Sequence, residues 1–595
     1  MKPNYHAVRF ASLLFGTCAC LLALAVTLII PSRVMGQAGV TGAISGIVTD
    51  TQGGVVAGAE VRARHVATGV VVTTATNDAG VYTFPYLPLG TYAVTIKAPG
   101  MKEAVVTGVA VDQASIARVD RALELGNVSE SVTVTAAAPL LEEEKTTYDA
   151  EVTRKFLEDL PSLTGGGTRD ATTVVNILPG VQTPGAVSGQ SYGSQFGVNI
   201  GGGRQFSTEF QMDGMNVAYQ GVTNGVPLDM RPDYDLVSEV KVQIGVPSAE
   251  YGRSSGGVVT YLSRSGANDL HGDATLLLRN TVFDARAYNA SSVGIDQQWE
   301  LPLSVGGPVY IPKIYNGKNK TFFFFNYTAF RQRGGGNPAT VTVPSAQERG
   351  GNFSDVSTPI YSPTTHQPFP GNIIPQNLIS PIALAINKFY PQPTSSDLTA
   401  NYTGITPSYS KADDYFAKVD HNFTDNNRLS VSFRHRNLPS LYAEGPPWGP
   451  TLSGDPSPRS VHQEIVSDDW IISPHVVNHI AASDVGFYTA QLSNPLDPQY
   501  WVPIPNSFGP AFPSFCFVTN GYAGMGVGLG NCAAGQHDYE FDRSRDLQDA
   551  VSWTRGTHTF KFGARYLWFQ AASGAEESRN GLYEFSQLET AQVSN

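Results

Sequence analysis

From Gly42 onward apolar and polar residues alternate in short runs, broken by turn residues every 8 to 12 positions. Side chains two apart share one face of a strand, so this period predicts a β-sandwich rather than helices. GAISGIVTD runs into Gly53-Gly54, AEVRARHV into Thr68-Gly69, VVVTTAT into Asn77-Asp78-Ala79-Gly80, and VYTFPYLPLGTYAVTIKAPG follows. Tyr82, Phe84, Tyr92, Val94 and Ile96 are expected between two sheets, with Asp78 and Gly80 supplying turn chemistry. From Leu270 a longer alternation begins. Tyr415, Ala417, Val419, His421 and Phe423 interleave with Lys418, Asp420 and Asn422; after the turn Thr424-Asp425-Asn426-Asn427, Leu429, Val431 and Phe433 interleave with Ser430, Ser432, Arg434 and Arg436. Phe560, Phe562, Ala564, Tyr566 and Trp568 do the same against Lys561, Gly563 and Arg565. Such strands, apolar and aromatic on one face and polar on the other, suit a barrel with lipid outside and water inside, and equally a half-buried soluble sheet. TFFFFNYTAF is apolar on both faces, and Asp468 and Asp549 interrupt the apolar faces of their strands. The stretches 332–412 and 489–544 read as long loops rich in Pro, Gly, Ser and Asn.

At 595 residues the chain exceeds one compact core, so several domains are expected. Charged residues are only 15%, while Gly (60), Tyr (26) and Phe (29) are abundant. The net charge of −12 supplies no excess of cations to displace phosphate counterions, which argues against a general nucleic-acid binder. Lys2 and Arg9 precede an apolar run from Phe10 to Ile30, followed by Val34-Met35-Gly36 before Gln37. This pattern predicts a secretory signal peptide over 1–36, the rival being a retained membrane helix. Cys20 after Ala19 hints at a lipoprotein cleavage site, but the apolar run continues beyond it. Of the four cysteines only Cys516 and Cys532 would remain after cleavage. They could close a loop of about 15 residues, a disulfide valued at roughly 3 kcal/mol, or remain two thiols.

Residues 41–126, with "GxVTDxxG…TxxDAGxYxFxxLxxGxY", resemble the carboxypeptidase regulatory-like domain. The resemblance implies a seven-stranded prealbumin-like sandwich of the carbohydrate-binding-like fold group, without the peptidase's zinc ligands. Sugar binding is an inference at the level of the fold group only. Then Glu130-Ser131-Val132-Thr133-Val134-Thr135-Ala136 forms a short alternating strand within a 127–140 linker. It reads either as a strand to be added to another protein's sheet or as the last strand of the sandwich.

Three blocks follow in order: Val174-Val175-Asn176-Ile177-Leu178-Pro179-Gly180-Val181, then GVNIGGGRQFSTEFQMDGMNV, then SEVKVQIGVPSAEYGRSSGGVVTYLSRSG from Ser238 to Gly266. Together they resemble the plug domain of TonB-dependent outer-membrane receptors, placed at 141–267, and with the sandwich ahead of them, the Oar-like branch. The resemblance implies a plug inside a transmembrane antiparallel barrel of about 22 strands, residence in the outer membrane, and outer-membrane lipid as a partner. It implies that TonB grips residues 130–136 from the periplasm, and that the long loops receive an extracellular ligand such as a siderophore, carbohydrate or peptide. Gly201 to Gly203, Gly252, Gly256 and Gly257 are expected to allow sharp turns and close backbone approach, with Asp213, Gly214 and Tyr251 as further structural residues of the plug. Arg204, Glu239 and Arg253 are candidates for buried plug-to-wall pairs. Residues 268–595 offer nine or ten strands, too few to enclose such a plug, so the chain is expected to be a fragment or the product of a truncated gene.

No catalytic residue, metal site or cofactor is assigned. Gly252-Arg253-Ser254-Ser255-Gly256 fits G-x-S-x-G, but VVTYL after it reads as a strand, where a nucleophile elbow needs a helix. His475 and His479 lack a third ligand in the sequence pattern, and Gly524 to Gly530 lacks the strand-to-helix setting of a dinucleotide site. Active transport is the primary functional expectation. A non-transporting surface protein for adhesion or carbohydrate binding, or a receptor remnant, is the alternative.

Overall fold

The computed structural model describes residues 42–112, 116–126, 131–135, 148–160, 168–182, 195–196, 198–204, 207–217, 226–227, 230–244, 250–252, 254–286, 288, 293–335, 338–405, 407–441, 456–473, 475–491, 514–517, 536–555, 558–577 and 582–585. The signal segment, Arg253, Glu130, Ala136 and Cys532 lie outside these, as does the side chain of Cys516.

The first unit is the expected sandwich: β1 (Gly42–Asp50), β2 (Glu60–His65), β3 (Val71–Ala75), β4 (Val81–Leu87), β5 (Gly90–Lys97), β6 (Glu103–Val111), β7 (Ile116–Arg118) and β8 (Arg121–Leu123). β1 bonds to β4 on one side and, in parallel, to β7 and β8 on the other, so that pair acts as one interrupted strand and the count is seven. The second sheet runs β3-β2-β5-β6 and gains a further edge strand, β9 (Ser131–Thr135). Tyr82, Phe84, Tyr92, Val94 and Ile96 are all buried between the sheets. Both tyrosines stay satisfied there: the Tyr82 hydroxyl donates to the Val119 carbonyl and that of Tyr92 to the Pro88 carbonyl, each at 2.7 Å. At the turn before β4, Asn77 Oδ1 accepts from the amides of Ala79 and Val81, and Gly80 takes φ +69°.

The second unit is a five-stranded mixed sheet made of β10 (Tyr148–Thr153), β11 (Thr208–Met212), β12 (Met215–Asn216), β13 (Val237–Ile244) and β14 (Gly257–Ser263), in the order β10-β13-β14-β11-β12. A short helix, α1 (Arg154–Asp159), follows β10. Every residue of β11 and β14 is buried, so alternation is lost where both faces are covered.

The third unit is an antiparallel meander in which each strand pairs with its sequence neighbour: β15 (His271–Ala274) and β16 (Leu277–Asn280) as one broken strand, β17 (Ile295–Pro308), β18 (Thr321–Gly335), β19 (Pro407–Thr424), β20 (Asn427–Asn437), β21 (Arg459–Ser473), β22 (Val476–Gln491), β23 (Gln536–Arg555) and β24 (His558–Glu577). That makes nine strands among the described residues, and the first and last are not paired with each other. The faces divide as the alternation predicts. Tyr415, Val419, Phe423, Val431, Phe433, Phe560, Phe562, Tyr566 and Trp568 are exposed large apolar side chains, whereas Asp414, Lys418, Asp420, Arg434 and Arg436 are buried on the other face. Strands β18, β19, β22 and β23 extend further than expected, narrowing the loops to the segments between Gly335 and Pro407 and between Gln491 and Gln536. The extension of β23, QHDYEFDR, carries charge on both faces, so apolar alternation did not mark it. No helix among the described residues is long and apolar enough to cross a membrane, which says nothing of strands.

Candidate functional site

The sheet of the second unit lies against the polar face of the third. Phe324, Phe416, Val461, Val485 and Phe487 of the wall share one apolar cluster with Phe210, Val240, Val242, Val259 and Tyr261. This explains TFFFFNYTAF: Phe324 turns inward onto that core, with the Arg264 guanidinium 4.8 Å from its ring, while Phe325 faces outward. The central segment is therefore a plug seated in the concavity of the wall.

Charge fixes the seat. Arg434, only 1% exposed, makes a salt bridge of 2.6 Å with Asp414 on the neighbouring wall strand. It also donates to plug backbone carbonyls, Met230 at 3.0 Å and Arg231 at 2.8 Å. Arg436 donates to the Arg231 carbonyl and the Thr168 hydroxyl, and lies 3.6 Å from Asp233. Burial pushes the Asp233 carboxyl up to about 8, against the pull of Arg436. On the far side, Arg565 bridges Asp546 at 2.6 Å and the plug's Glu209 at 2.5 Å. These groups cost desolvation and are tolerated because each guanidinium has several acceptors.

The sequence-predicted plug residues separate into three groups. Asp213 and Gly214 form the tight turn between β11 and β12 with φ of 48° and 81°, as Asp-Gly turns require. Asp213 accepts from the Ser263 amide at 2.9 Å and lies 3.6 Å from Lys418 of the wall. Gly203 and Gly256 meet backbone to backbone: a Cβ on Gly203 would sit 2.4 Å from the Gly256 Cα. Gly257 holds φ +138° at the start of β14. The expected wall pairs fare differently. Arg204 is exposed, and Glu239 faces Asp112 and Glu151 instead of a wall cation. Tyr251 and Gly252 lie in irregular backbone beside Glu250, whose carboxylate bridges Lys561 of the wall at 2.7 Å.

The wall residues that hold the plug, Arg434, Asp414, Lys418 and Arg565, were not singled out in the sequence. Their signal was charge on the inward phase of the alternation. Asp468 and Asp549 are each met by an asparagine of an adjacent strand: Asn427 donates to Asp468 at 3.0 Å and Asn478 to Asp549 at 2.5 Å. Ser254 Oγ accepts from the Gly257 amide at 2.8 Å and strand β14 follows, so the G-x-S-x-G match has no elbow geometry. His479 Nδ1 lies 2.5 Å from Asp469, and His475 is exposed.

The sandwich stands at the end of the wall that carries the short turns. Asn268 donates its amide to the Ala67 carbonyl at 3.0 Å and its side chain to the Thr68 carbonyl at 2.6 Å, and bonds with Asn319 at the turn before β18. The ring of Tyr86 is 6.0 Å from that of His479. The segment 131–135 pairs in parallel with β6, from Glu103↔Ser131 to Thr107↔Thr135. Its backbone thus has the pairing of a last sandwich strand, and its outer edge has no partner among the described residues.

An inward-polar, outward-apolar antiparallel wall with a folded plug against its inner face defines an outer-membrane barrel receptor. Residues 262–595 match the family described as outer membrane beta barrel domain, 152–259 the TonB-dependent receptor plug domain, and 43–124 the carboxypeptidase regulatory-like domain. The chain belongs to the TonB-dependent receptors of the outer membrane. It is 26% identical over 257 residues to the TonB-dependent transporter Oar of Myxococcus xanthus, covering 41% of this chain and 23% of that protein. Among solved structures it is similar to the outer membrane transporter YddB of Escherichia coli (11% identity, TM-score 0.43) and the siderophore receptor PirA of Acinetobacter baumannii (11%, 0.40). Each of these matches covers 71% of this chain and 48% of the other. The chain thus spans about a quarter of the curated relative and about half of the solved receptors.

Proposed function

We propose that this protein takes up a scarce or bulky ligand across the outer membrane by TonB-dependent active transport, with residues 130–136 as the strand that TonB grips. The observation that carries this reading is the position of β9: a short strand with one edge open, on the linker that leads directly into β10 of the seated plug. An open strand edge is a template on which a partner strand can form backbone bonds. Pulling it draws on the first strand of the plug, and the wall-to-plug ion pairs are what such a pull must rearrange. The sandwich packs at the short-turn end, which in outer-membrane barrels is the periplasmic one. That placement favours a role in coupling over adhesion at the cell surface.

The ligand class follows from the family only in outline: a siderophore, oligosaccharide, peptide or cobalamin captured by the long loops. The test is uptake of such nutrients by cells producing the protein with and without residues 130–136. Loss of uptake with surface binding retained is expected. Uptake indifferent to the deletion refutes the coupling.

A further inference from the structure

Three carboxylates from three different segments converge where the sandwich meets the plug: Asp112, directly after β6; Glu151, in β10; and Glu239, in β13. One oxygen from each lies within 4.8 Å of the others. Oxygens bound at about 2.4 Å to one hard cation can stand up to about 4.8 Å apart, so the spacing is that of a ligand set before the ion draws it in.

Acidic clusters are common, and the argument rests on Glu239. It is only 9% exposed, and its Oε1 is buried with no hydrogen-bond partner. The charges acting on it are Glu151, Asp112 and Lys241, two of them like charges. A buried acceptor without a donor costs about 1–3 kcal/mol, and more when charged. A divalent cation gives the Glu239 oxygen a partner and offsets the like charges of Glu151 and Asp112 beside it.

We propose that Asp112, Glu151 and Glu239 bind a divalent cation of the calcium class, with water completing its shell, and that the bound ion clamps the sandwich to the plug. Carboxylate oxygens on separate strands suit the irregular shell of calcium better than the strict octahedron of magnesium. The two anchors flank the linker, because Asp112 directly follows the strand that carries β9 and Glu151 lies in the first plug strand after it. The ion would thus hold both ends of the segment containing β9. The site follows from the fold and does not depend on the transport reading.

The test is calorimetric titration of calcium chloride into the whole detergent-solubilised protein after chelator treatment. One site is expected, with a dissociation constant of about 0.1–1 mM, as in modules outside the cytosol. Glu239→Gln, which preserves shape, and Asp112→Asn, at a strand end, should each weaken binding at least tenfold. In the wild type, calcium should slow hydrogen exchange in 103–111 and 148–153. Absence of binding at 10 mM calcium overturns the proposal, and so does binding that both variants retain. The Asp112 variant keeps the result decisive if the Glu239 variant misfolds.

Discussion

Arg434→Met removes the guanidinium that joins two wall strands to the plug. The side chain lost is almost wholly buried, and its removal leaves Asp414, itself 2% exposed, without its 2.6 Å partner. It also strips donors from the carbonyls of Met230 and Arg231. Breaking a buried pair by deleting one member costs about 3–5 kcal/mol, and the lost donor to the Met230 carbonyl about 1–3 kcal/mol, while the Arg231 carbonyl keeps Arg436. These costs are not additive, so about 3 kcal/mol is the floor. Arg436, 3.5 Å from Asp414, is placed to take up part of the loss. The assay is hydrogen exchange of the plug amides 208–212 and 257–263 in detergent. A loss of 3 kcal/mol in the opening free energy accelerates exchange by more than about 100-fold. The double variant Arg434→Met with Asp414→Asn removes the stranded charge and should recover a large part of that change. An acceleration under tenfold, or identical behaviour of the single and double variants, refutes the role of this pair as the anchor.

Three further outcomes follow from the plug. Gly203→Val forces a side chain into the Gly256 backbone, where flexible atoms cannot yield. It should lower plug stability by about 1–3 kcal/mol or more, read as a lower urea midpoint for protease resistance of the plug. Asp213→Ala places alanine at φ 48° and removes acceptors from Ser263 and Lys418. It should cost about 1–3 kcal/mol by the same measurement, whereas Asp213→Asn, which tolerates that backbone, should cost clearly less. Asp233 is raised from 3.8 to about 8 in the folded protein. The folded state therefore holds this proton more tightly, and the stability it contributes is full below about pH 4 and lost as pH rises to 8. Relative to Asp233→Asn, the wild-type urea midpoint should fall across that window, and a constant difference counts against the assignment.

The two strand periods, the turns and the plug blocks were legible because each is set locally: alternation by a face buried or lipid-covered, Asp213-Gly214 by a backbone that few residues adopt. The glycines at 203 and 256 announced close backbone approach for the same reason, since only a missing side chain permits it, though not that they would meet each other. What could not be read were partners distant in sequence. Arg434 and Met230 are about 200 residues apart, and nothing near either residue marks the other. Glu239 was misassigned because burial could be inferred from VSEVKVQI, but the elements packed against it could not. TFFFFNYTAF looked irregular because the lumen side was expected to be wet, whereas here that side is covered by the plug.

The last point bears on how such a wall and plug fit one another. An inward face built to meet water must present polar groups, so a plug that fills it inherits a polar partner surface. Burying those groups without partners would cost several kcal/mol each. At Arg434, Arg436 and Arg565 the plug meets them with backbone carbonyls and carboxylates. Among the described residues, two apolar patches join plug and wall directly: a large one around Phe324, Phe416, Val461, Val485 and Phe487, and a small one where the plug's Met215 packs on Ile465 and Ala481. Water can replace polar partners at modest cost, while an apolar island loses its whole burial on separation. The plug is thus held firmly at these two patches and exchangeably at the polar contacts. An arrangement of this kind allows part of the plug to leave the wall while the rest stays seated.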